Sequence, residues 1–235
     1  MNLRTKVSLQ AGRAVFWLRA VLARSRGDTR GIAAVEFALI LPLMLTLYLG
    51  SAELTQGVMA SRKMTLVSRT ISDLAAQQAS GTPMTDATMT SIFNAAAAIM
   101  SPFDVSTLKM TISAVEFVAN GTPTSYTANG YDAKIRWSKV GPYGGTARAC
   151  AKATPVANAT SPSSTTLPSG LFAAGSLIVA DVSYTYDPVF GGSLLAWSST
   201  DSIMTMKNTT YMRPRNWTTY ITYPTLVSGN TCATY

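Results

Sequence analysis

A single acidic residue, Glu36, stands inside an apolar run that extends from Ile32 to Ala52. A helix of this length is about 30 Å long, which matches the hydrocarbon core of a lipid bilayer. A carboxylate in that environment is strongly unfavourable unless it is protonated or paired with a cation. The first chemical question that the sequence raises is therefore which cation Glu36 meets.

Cleavage of the peptide bond between Gly31 and Ile32 would create such a cation. If a peptidase cuts this bond, Ile32 gains a free amine, and Glu36 lies four residues further on, about one helical turn away. In a bundle of packed helices, Glu36 of one subunit can then pair with the Ile32 amine of a neighbour. Such a pair removes two buried charges together and sets the axial register between subunits.

The segment before the apolar run is basic. Residues 1–31 contain seven Lys and Arg and one Asp, so +6 of the formal net charge of +8 lies there. Lys and Arg beside a membrane span mark its cytoplasmic side, and we interpret residues 1–31 as a basic cytoplasmic leader. The remaining +2 is too small to indicate a nucleic-acid partner.

The run GIAAVEFALILP, together with the leader before it, resembles the N-terminal signature of the TadE-like family. These are the pseudopilin-like proteins of tight-adherence (Flp-type) pilus systems. In that family a membrane prepilin peptidase removes the leader after the glycine. The resemblance implies cleavage after Gly31, a new N-terminus at Ile32 and an assembly role for Glu36.

The resemblance also implies that Pro42 marks a place where the helix loosens as subunits pack. A proline inside a helix removes one backbone hydrogen bond and bends the helix, so a simple kink without an assembly role is the alternative. The implied partners are the prepilin peptidase, other pilin or pseudopilin subunits, the inner-membrane pilus assembly platform and membrane lipid.

The function that follows is a pseudopilin or minor pilin-like subunit taking part in tight-adherence (type IVb-like) pilus assembly and surface adhesion. It would cross the bacterial inner membrane once, with its N-terminus cytoplasmic and its C-terminal domain periplasmic or extracellular. The alternative is an unprocessed, single-pass membrane-anchored envelope scaffold or adhesin. Phe37, where processed relatives often have tyrosine, and the long leader favour that alternative.

The whole chain predicts an α+β fold. Residues 32–80 are expected to form a transmembrane helix that continues outside the membrane, because small and apolar residues recur there at three-four spacing. Residues 81–235 are expected to form an extracytoplasmic α+β domain. This domain has a short second helix capped by Thr82, an antiparallel sheet, and a long exposed loop at 141–170 rich in Gly, Pro, Ser, Thr and Ala. The predicted strands are Leu108–Val118, Tyr131–Val140, Leu177–Tyr186 and Ser202–Arg213.

The composition argues against enzymatic chemistry. The chain contains no histidine, which removes the commonest general base and any Ser-His-Asp or Cys-His arrangement. We therefore expect no catalytic residue and no cofactor. Cys150 and Cys232 are too few to hold a metal. In an oxidising compartment they favour one disulfide, with two unrelated thiols as the alternative.

Overall fold

The computed structural model describes residues 30–79, 82–158, 163–188, 204–215, 221–222 and 230–232. The predicted leader, residues 1–31, lies outside this range apart from its last two residues. The chain divides after Ala52 into two compact units. The first unit contains the N-terminal part of the long helix, and the second contains the rest of that helix, a shorter helix and the sheet.

Helix α1 extends from Arg30 to Ala76 and passes through Pro42. Its 47 residues correspond to a length of about 70 Å. In the second unit, one face of α1 is buried with the three-four spacing that the sequence predicted. The buried apolar residues on this face are Ala60, Met64, Val67, Ile71, Ala75 and Ala76.

Helix α2 extends from Asp86 to Ile99. Its N-cap is Thr85, whose hydroxyl accepts a hydrogen bond from the Thr88 backbone N–H at 3.2 Å, so the prediction of Thr82 as the cap was wrong. The preceding backbone is held elsewhere, because the Met84 N–H donates to the Thr222 carbonyl at 2.9 Å. At the other end, the Lys63 ammonium donates to the Ile99 carbonyl at 3.0 Å, a favourable place for a cation.

The described residues contain an eight-stranded sheet in the order β5-β4-β3-β1-β6-β7, with β2 and β8 paired to β3. The strand pairs are antiparallel except for β4 and β5, which are parallel. This confirms the α+β class and the largely antiparallel sheet. The strands are β1 (Lys109–Ala119), β2 (Thr127–Ala128), β3 (Tyr131–Val140), β4 (Lys152–Val156), β5 (Thr166–Pro168), β6 (Gly175–Tyr186), β7 (Met204–Met212) and β8 (Asn230–Thr231).

Both faces of the sheet are buried, and strand β6 shows this most clearly. Ile178, Ala180 and Val182 point to one face and join a core cluster with the buried residues of α1 and α2. Leu177 and Val179 point to the other face and pack with residues of β4, β5 and the chain that follows β5. Successive side chains of a strand alternate between faces, so one strand contributes to two cores.

The prediction of a long exposed loop at 141–170 was wrong. This stretch contains β4, β5 and the start of a 3-10 turn at Ser169–Leu171, and it supplies the fully buried residues Leu167 and Arg148. Strands of five and three residues are too short to show an alternating pattern. These strands form because Ala153 and Leu167 bury the second face of the sheet, and local propensity does not predict them.

Candidate functional sites

The predicted processing and assembly residues lie together at the start of α1. Gly31, Ile32 and Glu36 are all helical and exposed. The four residues from Ile32 to Glu36 span about 6 Å of helix axis, so the two side chains lie one turn apart on neighbouring positions of the helix surface. Cleavage and assembly remain predictions, since they concern an enzyme and other subunits.

An apolar surface surrounds Glu36. Every residue from 31 to 48 is exposed, including Phe37 at 65% and Leu39 at 74%. The helix is long and apolar enough to cross a membrane, with a mean hydropathy of 2.2 in its most apolar window. Apolar surface of this extent on a single helix calls for lipid or other helices to cover it.

Pro42 interrupts the hydrogen-bond ladder within this apolar segment. Because proline has no N–H, the carbonyl four residues earlier, on Ala38, loses its helical donor. The Thr46 hydroxyl donates to the Pro42 carbonyl at 2.8 Å, a side-chain bond that competes with the helical pattern. The helix therefore lacks one backbone hydrogen bond at Pro42, while the assembly role of this residue stays a prediction.

A partly buried hydrogen bond joins α1 to the sheet just after Ala52. The Tyr186 hydroxyl, at the end of β6, donates to the Glu53 carboxylate at 2.9 Å, and the Tyr186 ring packs edge-on against Phe103. Burial, together with the Glu53 carboxylate, raises the pKa of Tyr186 to about 12. The phenol therefore stays protonated and keeps donating at every physiological pH.

Cys150 and Cys232 are joined by a disulfide, with their Cα atoms 5.3 Å apart. The bond ties the end of β8 to the segment before β4 and closes a loop with a sequence separation of 82 residues. A loop of this length corresponds to a stabilisation of roughly 4 kcal/mol in the chain-entropy model. Among the described residues, no group of three or more His, Cys, Asp and Glu could hold a metal ion.

The sequence reasoning missed a buried ion pair between Arg148 and Asp181. The Arg148 side chain is fully buried, and its Nε and Nη2 donate to the two carboxylate oxygens of Asp181 at 2.9 and 3.0 Å. Thr209 donates to the same carboxylate at 2.8 Å. One signal was available: Asp181 is the only charged residue in the apolar strand LIVADVSYTY, and an acid that is partly withdrawn from water favours a charged partner.

A second polar cluster surrounds Asp132, which is buried at the start of β3. Its carboxylate accepts hydrogen bonds from Lys152 at 2.6 Å, Thr127 at 2.6 Å and Asn120 at 3.0 Å. Burial by itself raises the pKa of Asp132, but the hydrogen bonds from these three side chains outweigh it and hold the pKa below its usual value. The folded protein thus favours the ionised carboxylate.

Acid is therefore expected to destabilise the domain through Asp132. The pKa of Asp132 is lower in the folded than in the unfolded chain, so the ionised carboxylate stabilises the folded state. This stabilisation is fully present above the pKa of the unfolded chain, about 4, and is lost as the pH falls through the pKa of the folded chain. Thermal unfolding should show a smaller loss of melting temperature between neutral and acidic pH in Asp132→Asn than in the unmodified protein. Identical acid profiles for the two proteins would contradict this assignment.

Within the described residues, one helix near the N-terminus, α1, is long and apolar enough to span a membrane, and the second unit is an α+β domain. A family model described as TadE-like protein matches residues 31–72. The match lies within α1, where the sequence resembles that family, and it covers 42 of the 235 residues. No curated protein and no solved structure matches the chain.

Proposed function

We propose that this chain is a pseudopilin, or minor pilin-like subunit, of a tight-adherence pilus or a related apparatus. Helix α1 crosses the bacterial inner membrane once, residues 1–31 remain cytoplasmic, and the α+β domain lies outside. Its role is structural and not enzymatic. The observation that carries the proposal is Glu36, an acid on the exposed apolar surface of α1, one turn from Ile32, inside the segment that matches the family.

In this proposal the prepilin peptidase cuts after Gly31, and the new Ile32 amine becomes a cation at the membrane surface. When α1 packs among the helices of other subunits, Glu36 leaves lipid and pairs with that amine. Opposite charges attract far more strongly in an apolar environment than in water. The pair therefore supports one axial register between subunits, while the apolar side chains around Glu36 supply the contact area.

The second candidate function is an envelope scaffold or adhesin that keeps its leader. Phe37, at the position after Glu36, and the length of the leader favour it. In that case α1 is a permanent anchor, and Glu36 faces a partner helix or is protonated. The mature N-terminus distinguishes the two functions.

We expect intact-mass measurement and N-terminal sequencing to find Ile32 as the first residue in cells that contain the prepilin peptidase. Cells without the peptidase should hold the full-length chain. Gly31→Ala should block processing, because it changes the residue on the acyl side of the cut bond. Gly50→Ala is the matched control, since a Cβ at Gly31 or at Gly50 meets no atom within 4 Å.

Two outcomes would contradict the first function in favour of the anchored protein. One is a full-length chain both with and without the peptidase. The other is Gly31→Ala protein that matures like the Gly50→Ala control, because cleavage would then not depend on the residue at the predicted site.

A further inference from the structure

A polar cleft of 330 Å³ opens on the sheet of the second unit. The floor of this polar cleft is formed by β1, β6 and β7. The segments around 145–146 and 163–164 form its sides. The side chains that matter most for its chemistry are Lys109, Thr111, Asp181, Ser183, Lys207 and Thr209.

The strand register arranges these side chains in two rows. Ser183 on β6 lies between Lys109 on β1 and Lys207 on β7. Two residues along the strand, Asp181 lies between Thr111 and Thr209. Residues two apart on a strand share a face, so both rows belong to one surface. One row ends in a cation at each side, and the other has a carboxylate between two hydroxyl groups.

The cleft carries an excess of positive charge. Asp181 is neutralised from below by the buried Arg148, whereas Lys109 and Lys207 are exposed and form no ion pair within the described ranges of the chain. Two strand spacings separate their backbones by about 10 Å. Each flexible side chain can therefore reach a different negative group of one ligand.

We propose that the polar cleft binds an acidic carbohydrate, with uronic-acid carboxylates on Lys109 and Lys207. The sugar hydroxyls would donate to Asp181 and exchange hydrogen bonds with Ser183, which is half-buried. This ligand uses both kinds of group in the cleft, because it brings negative charges and hydroxyl donors together. The site does not depend on processing at Gly31 or on assembly.

The lining favours a sugar over a nucleic acid. Single-stranded nucleic acids are held by aromatic side chains on which the bases stack, and the residues that line the cleft include no aromatic one. The phosphodiester groups of a nucleic-acid backbone also have no hydroxyl to donate to Asp181. An acidic carbohydrate is therefore the ligand class that the lining fits best.

The test measures binding of short oligogalacturonate to the full chain in non-ionic detergent, with neutral malto-oligosaccharide and inorganic phosphate as comparison ligands. We expect binding of oligogalacturonate alone, weakened at least tenfold in Lys109→Met/Lys207→Met. The charge-matched control is Lys134→Met/Arg69→Met, which removes two positive charges outside the cleft lining and should bind like the unmodified protein. Thermal melting checks that both variants are folded.

Acetylation footprinting supplies a readout on the unmodified protein. Oligogalacturonate should protect Lys109 and Lys207 from the reagent and leave Lys134 reactive. The proposal is overturned if oligogalacturonate does not bind, if phosphate binds as well, if the control variant loses binding equally, or if the ligand protects neither cleft lysine. None of these results depends on the mature N-terminus. The proposal of carbohydrate binding and the proposal of a pilin-like function can therefore be refuted independently.

Discussion

Glu36→Gln is expected to reduce incorporation of the subunit into pili or assembly complexes at least tenfold while leaving cleavage after Gly31 intact. The amide has nearly the shape of the carboxylate but carries no charge. A neighbour's Ile32 amine would then be buried without a counter-charge. Removing one partner of a buried charge pair costs about 2–5 kcal/mol, and 1.4 kcal/mol already corresponds to about a tenfold change in an equilibrium constant.

Glu36→Asp is the matched control, because it keeps the charge and shortens the reach by one methylene. It should retain more assembly than Glu36→Gln. The measurement is the fraction of subunit that co-purifies with pili or crosslinks to other subunits, normalised to the amount in the membrane. If Glu36→Gln assembles as well as the unmodified protein, Glu36 is not the assembly residue. This conclusion holds whether or not the chain is cleaved after Gly31.

The second large effect is expected at Arg148. Arg148→Met should lower the free energy of unfolding by about 3–5 kcal/mol, the cost of leaving one charge of a buried pair without its partner. The Arg148 side chain is fully buried and the Asp181 side chain is 27% exposed, so part of the unpaired charge can still reach water. The expected value therefore lies toward the lower end of that range.

An exposed ion pair of the same length gives the control. Arg215 and Asp73 are also 2.9 Å apart, but their side chains are 64% and 36% exposed, and such pairs contribute about 0–1 kcal/mol. Arg215→Met should therefore change stability little. Arg148→Met/Asp181→Leu should recover part of the loss, since removing both charges leaves no unpaired group. Chemical denaturation of the full chain in detergent measures all three variants, and equal effects of Arg148→Met and Arg215→Met would contradict the assignment.

The elements that the sequence predicts well are those whose signal is local and long. Helix α1 follows from the apolar run and the three-four spacing after it, and it ends at Ala76, four residues before the predicted end at residue 80. Strand β3 has the predicted bounds, Tyr131–Val140. Its sequence alternates between apolar and polar residues from Tyr131 to Ser138, and such a pattern is unlike that of a helix. Strand β2 was not predicted, although the Asn129-Gly130 pair that joins it to β3, both residues with positive φ, is a local hairpin signal.

The tertiary structure alone decided what residues 141–170 do. Their composition is that of a loop, yet Arg148 is buried there against Asp181, 33 residues away along the chain. No local pattern encodes a partner at that separation, and β5 is a strand because it pairs with β4, so that Leu167 helps to bury the second face of the sheet. The polar cleft arises in the same way, since Lys109, Ser183 and Lys207 become neighbours only through the register of three strands. The charge at Glu36 could be found in the sequence because its apolar surroundings are contiguous in the chain, whereas the surroundings of Arg148 and of the cleft are contiguous only in space.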